Sequence, residues 1–171
     1  VRGSLAPSAW TYWGLPGIER TYFKFEEVSS IPQDAKIISA SFTLYGVSSA
    51  VHPPQGNSFY PGSPYNSFGT NETWLKRVTG NWDETTITWS NKPGATDLNK
   101  VALPASTSQW NFDVADIDVT KLVRDMVANG ENYGFCLEMQ QEQDYRSIVF
   151  GGSRSTDSTK RPKLVVEYEE H

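Results

Sequence analysis

The 171-residue chain carries one cysteine, two histidines, two methionines and no long apolar run. Each scarcity closes off a class of chemistry. A single thiol, Cys136, excludes an intrachain disulfide and a cysteine-built zinc site. Flanked by Phe135 and Leu137, it reads as a strand residue rather than a nucleophile. His52 sits beside Pro53-Pro54 and His171 is the last residue. One interior imidazole does not assemble a Ser-His-Asp triad or a histidine zinc site. The GxSxG, HExxH and Gly-rich phosphate-loop patterns are absent. No apolar stretch approaches the ~20 residues that cross a bilayer, so membrane insertion is not expected. Lys and Arg number 15 against 20 Asp and Glu, for a formal net charge of −5, and no basic run exists. Binding phosphates needs clustered cations, so nucleic acid is not an expected partner. The first residue is Val1 rather than Met, as in a mature fragment or an excised piece, so the lack of a signal peptide excludes nothing.

What the chain does have is rings and strands. Six Trp, eight Tyr and eight Phe are spread along a length that suits one domain with one core, residues 1–171. Residues 18–28 alternate Phe23 and Phe25 with Arg20, Tyr22 and Lys24, which places the last three on one outward face. Ile38, Ala40, Phe42 and Leu44 alternate with Ser39, Ser41, Thr43 and Tyr45, the pattern of a half-buried strand. Further strands are expected near residues 73–79, 85–89, 133–140, 147–150 and 163–168. Turn residues separate them, as in Thr79-Gly80-Asn81 and Asn91-Lys92-Pro93-Gly94. One short helix is expected from the stripe Leu122, Val123, Met126 and Val127, with Asp118 as its cap and Asn129-Gly130 at its end. Many short strands without βαβ alternation predict an all-β antiparallel sandwich or jelly roll.

The strand pattern is interrupted by a loop insertion at residues 48–71, SSAVHPPQGNSFYPGSPYNSFGTN. Its prolines and glycines block regular structure, while Phe59, Tyr60, Tyr65 and Phe68 put rings on it. Loops this long are usually functional or disordered. Tyr60 and Tyr65 are therefore candidates to stack on a sugar ring, the alternative being that the rings pack back on the sheet. Tyr12 and Trp13, with Trp10 nearby, pose the same choice between a stacking platform and core. Arg20, Tyr22 and Lys24 would suit a uronate or sulfated glycan, or form an ordinary solvated face. Arg146 and Arg154 flank the 147–150 strand and could extend such a groove. Arg77 and Glu84 are expected to pair with each other or with Lys24.

The carboxylates offer less. Asp83-Glu84, Glu26-Glu27 and Glu169-Glu170 are adjacent pairs at turns or strand ends, with nothing to face them across a cleft as glycoside hydrolysis requires. Asp113, Asp116 and Asp118 have a spacing that can hold calcium, although a cap and a turn account for them equally. No other cofactor is implied. Asn71-Glu72-Thr73 forms an acceptor sequon, read as a chance match.

Four segments carry a family likeness: residues 19–45, 77–95 (RVTGNWDETTITWSNKPGA), 118–139 (DVTKLVRDMVANGENYGFCLEM) and 161–168 (RPKLVVEY). In this order, over about half the chain, they resemble the DNRLRE-domain superfamily, which includes carbohydrate-binding module family 96. Trp82, Asp83, Glu84, Thr88 and Trp89 form the most specific element, and both tryptophans are read as structural, on a buried Trp-Ile face. The resemblance implies a β-sandwich of jelly-roll type, part of a larger secreted or surface protein of a microbe. It implies noncatalytic recognition of a polysaccharide, acidic for some members, and an extracellular or cell-surface location. The insertion is longer than the family's usual connection, and after Phe150 only Ser153-Arg154-Ser155 keeps the family's flavour. The expected function is thus an extracellular carbohydrate-binding module using loop aromatics with Arg and Lys. The alternative is a structural or adhesion module that binds a protein partner.

Overall fold

The computed structural model describes residues 3–170; Val1 and His171 lie outside the described residues. Four strands come first: β1 (Ser4–Leu5), β2 (Ser8–Tyr12), β3 (Leu15–Glu19) and β4 (Thr21–Phe23). They are followed by β5 (Lys36–Leu44), β6 (Thr73–Val78), β7 (Ala95–Leu103) and β8 (Val114–Asp118). Helix α1 (Thr120–Asn129) leads to β9 (Phe135–Met139), β10 (Arg146–Ser147), β11 (Phe150–Gly151) and β12 (Lys163–Glu169).

Two antiparallel sheets carry the fold, one ordered β12-β5-β8 and the other β4-β9-β6-β7. Among these strands only β6 to β7 is an in-sheet hairpin; every other connection crosses between sheets, which is jelly-roll wiring. Smaller sheets, β10-β2-β3 and β1-β11, flank them. Side chains alternate along each strand, so Ala40, Phe42 and Leu44 of β5 face Leu75 of β6 and Phe135 and Leu137 of β9 across one apolar core. The Phe42 ring stacks on Phe23 and Phe135 with centroids 5.5 and 5.9 Å away.

Several expectations need correction. The strand foreseen over residues 18–28 breaks at Arg20, because β3 pairs with β2 while β4 pairs with β9. Beyond β4 the chain turns into a 3-10 helix, Glu26–Ser30. Residues 85–89 form turns, not a strand. The Asp83 carboxylate accepts from the Thr85 amide at 2.8 Å, and Asn91 Oδ1 accepts from the Thr88 amide at 2.6 Å. Such local bonds take amides away from a ladder. Ile38 points outward: the β5–β12 pairing steps from Ser39–Glu167 to Ile37–Tyr168, and the bulge leaves Ile37 3% and Ile38 39% exposed.

Helix α1 follows the expected stripe, with Leu122, Val123, Met126 and Val127 buried. It ends at Gly130, whose left-handed φ of 64° suits glycine. Asp118 sits one residue before the cap position and accepts from the Thr120 amide at 2.9 Å, which holds its carboxyl below the usual range. Asp113 accepts from the Gly46 amide at 2.7 Å. Among the described residues no three His, Cys, Asp or Glu side chains converge as a metal site. Cys136 is buried under Tyr22 on the outer face of β9, and burial pushes its thiol up to about 12. No described helix is long and apolar enough to cross a membrane.

Candidate functional site

On the outer face of the β4-β9-β6-β7 sheet, polar side chains replace apolar ones. Tyr22 lies opposite Cys136, and Lys76 lies on Cys136's other side. Glu138 forms ion pairs with Lys76 and, at 3.4 Å, with Arg20. Arg20 also donates two bonds to Glu142 at 2.7 and 2.9 Å. That fork raises its pKa still further, so the guanidinium is permanently charged. Burial opposes the charge on Lys76, yet its bonds to Glu138 and Asp97 raise its pKa. The result is a stiff, satisfied ionic floor.

The turns at residues 82–92 fold over one end of this floor. The Trp82 indole N–H donates to the Tyr133 carbonyl at 2.8 Å, and its ring meets Tyr22 edge-on with centroids 5.9 Å apart. Tyr22 in turn donates to the Pro93 carbonyl at 3.2 Å. Trp82 is thereby anchored, whereas Trp89 is held out with 52% of its surface exposed. The Arg20 guanidinium lies 5.3 Å from the Trp89 ring centroid and the Lys92 ammonium 3.9 Å, both at cation–π range. Between these turns and β3–β4 runs an open groove of about 770 Å³.

Of the residues singled out in the sequence, Arg20, Tyr22 and Lys24 line this groove together. Lys24 pairs with Glu26 at 2.9 Å. Glu84 pairs with Arg154 at 2.6 Å, not with Arg77 or Lys24. Arg77 instead shares the core face of β6 with Leu75 and is buried, its Nε without a partner. Trp89 does not join a buried Trp-Ile face, because the Asp83 and Asn91 turns remove the strand on which that reading depended. The groove's most accessible ring was therefore missed. The seven-residue spacing of Trp82 and Trp89, odd and so on opposite faces of any strand, was the available signal.

Tyr60, Tyr65, Tyr12, Trp13 and Arg146 lie outside the groove. The 48–71 insertion is tied down throughout. Asn57 accepts from the Val149 amide and donates to the Ser108 carbonyl, both at 2.9 Å. Asn71 is fully buried, its amide donating to Ser106 Oγ at 2.8 Å and the Ser147 carbonyl at 2.7 Å. The Tyr65 ring packs against Trp10 at 4.8 Å, and Phe68 against Tyr145 at 5.0 Å. Tyr60 is half-buried, its backbone bonded on both sides by the Asn66 side chain. Arg146 is buried and donates to the carbonyls of Phe68, Thr70 and Gln143. Tyr12 stacks on His52, whose Nε2 lies 3.0 Å from the Tyr12 hydroxyl and 3.1 Å from Glu19.

Residues 62–168 match the family model of carbohydrate-binding module family 96. The chain belongs to that family. Over 105 residues it is also 30% identical to the tRNA nuclease WapA of Bacillus subtilis (strain 168) and to the tRNA(Glu)-specific nuclease WapA of Bacillus subtilis subsp. natto (strain BEST195). A tRNA3(Ser)-specific nuclease WapA of Bacillus spizizenii is similar to the same degree. These stretches are 59% of this chain but only 4% of each relative.

In this family 96 module the groove is a composite. The 82–92 turns and β9 lie within the family segment, while Ile18 to Lys24 precede it. A second cleft of about 500 Å³, lined by Ser4, Ser49, His52, Arg154 and Lys160 among others, shares Ser4 with the groove. The Glu84–Arg154 pair joins the two rims.

Proposed function

We propose that this family 96 module is a noncatalytic, single-domain binder of polysaccharide, and that the glycan lies in the groove against Trp89. The observation that carries the reading is the exposed indole braced by Arg20 and Lys92, with Tyr22 and Trp82 behind it. An aromatic face beside a few fixed polar groups suits a sugar ring with its hydroxyls. Four carboxylates (Glu19, Glu26, Asp83, Glu84) and three cations (Arg20, Lys24, Lys92) line the groove. It therefore offers no positive excess, and an acidic polysaccharide would have to compete with Glu26 for Lys24 or with Glu84 for Arg154.

A noncatalytic role is supported by what the carboxylates already do. Glu26 holds Lys24, Glu84 holds Arg154, and Glu19 contacts His52. Asp83 accepts from Thr85 and Thr86, and these donors keep it below the usual carboxylate range, ionised and unsuited to be a general acid. A polysaccharide ligand places the module outside the cell or at its surface, and the much longer WapA relatives are consistent with its being one part of a larger protein. The adhesion reading, in which loop rings meet a protein partner, has less support because Tyr65 and Phe68 pack on Trp10 and Tyr145.

Calorimetry against alginate, pectin and neutral β-glucans tests the assignment. Trp89→Ala is expected to weaken binding by at least about tenfold, the scale of an interface anchor. Its stability should shift by no more than about 0.5 kcal/mol, as for other exposed sites. Wild-type affinity in Trp89→Ala would remove the groove from consideration.

A further inference from the structure

Trp13 stands apart from every other ring in the molecule. It is the first residue of the two-residue loop Trp13-Gly14 that joins β2 to β3, with Tyr12 paired to Leu15 across it. Both loop residues have positive φ, 55° and 80°, as a type I′ hairpin turn requires. Gly14 is suited to this and a bulky aromatic is not; Asn, Asp or Gly is the usual occupant. The indole is also fully exposed, at 102%, beside Leu15 at 70%. The position thus carries a disfavoured backbone and an unburied ring, and neither contributes to folding. Observed strain of this kind points to function.

We infer that Trp13 is a second polysaccharide contact, which lets the module grip a polymer at two separated points. This rests on the glycan-binding reading above. Strand β3 runs from Leu15 beside the tip to Ile18 and Glu19 at the groove. At about 3.4 Å per strand residue, Trp13 lies roughly 17 Å from Ile18, a span of several sugar residues. The hairpin is braced for the task. A Cβ on Gly17 would come within 2.5 Å of the Tyr12 ring, so that ring lies flat on the β3 backbone while its hydroxyl is tied to His52. A rigidly presented ring loses little entropy on binding.

The chemistry of the tip favours a glycan over other partners. No Lys or Arg occurs from Gly3 to Glu19, so nothing there attracts an anionic lipid surface. A stable protein interface takes about 800 Å² per partner, far more than two side chains offer, whereas one indole matches one sugar ring. Trp13 also precedes the family segment, so the contact is an addition of this chain.

The test is retention on insoluble β-glucan and on calcium-gelled alginate and pectate, comparing wild type, Trp13→Asn and Trp89→Ala. Asn relieves the turn, so Trp13→Asn should unfold about 2–4 °C later than wild type. It should nonetheless lose at least about tenfold in retention as two-point attachment becomes one-point. Oxidative footprinting of the wild type should show the Trp13 peptide protected by the polymer. Undiminished retention of Trp13→Asn, or an unprotected Trp13, overturns the inference. If Trp89→Ala alone loses retention, the groove stands and the second contact fails. If the wild type is retained on none of the polymers, the glycan reading fails and the inference with it.

Discussion

Phe42→Ala is expected to lose about 3–5 kcal/mol of folding stability, the cost of emptying a buried phenylalanine site. The ring has no exposed surface and sits where the two sheets meet. Phe135 lies almost parallel to it, at 9°, Phe23 stacks on it at 5.5 Å, and Phe25 meets it edge-on at 5.8 Å. Truncation forfeits the transfer of the ring out of water and opens a void between strands whose backbones are fixed by their ladders. It also removes ring–ring contacts worth about 0.5–1.5 kcal/mol each beyond area. Domains hold only about 5–15 kcal/mol in total, so most of the margin would go. Urea unfolding measures this, with Val165→Ala as a control at a 52% exposed site. A loss below about 1 kcal/mol would mean the sheets do not meet on Phe42.

Arg146→Ala is expected to cost about 3 kcal/mol or more, and to act locally. Arg146 is 6% exposed, and its guanidinium gathers three carbonyls, those of Thr70 at 3.0 Å, Gln143 at 2.9 Å and Phe68. Bonds to a charged donor contribute about 1.5–3 kcal/mol each, and stranded buried acceptors carry a penalty of their own. Gly69 is part of this device, since a Cβ there would lie 2.5 Å from Arg146 Nη2. Without the clamp, the segment bearing Tyr65 and Phe68 should open and become the first site of limited proteolysis. If Arg146 held ligand instead, the Ala variant would keep wild-type stability and protease resistance.

Periodicity made β5, β6, β9, β12 and α1 legible, because each has a regular apolar stripe that can be read within a few residues. It failed where side chains or bulges intervene. Strand β7, ATDLNKVAL, is a polar edge strand whose stripe is broken at Asn99, which has a φ of 60°. In β8 only Val114 and Ile117 turn inward, three residues apart, because the β5–β8 pairing slips between Phe42 and Leu44. At the candidate site, Arg20, Tyr22 and Lys24 were visible as neighbours on one face. Trp89 was not, since two carboxylate- and amide-built turns decide where it points. The role of Arg146 depends on carbonyls 76 and 78 residues away, and nothing in local pattern encodes that.

The burial of Asn71 bears on how the protein can be produced. Its amide nitrogen spends two donors inside the fold and its Oδ1 accepts from the Ser106 amide at 3.0 Å, so a linked oligosaccharide has no exit. Eukaryotic secretory machinery reads Asn-X-Thr on the emerging chain, before that burial exists. In such a host, modification and folding compete for the same side chain. The folded fraction should carry an unmodified Asn71 by mass spectrometry, with any glycosylated chain retained as misfolded material. A host lacking that machinery sidesteps the competition altogether.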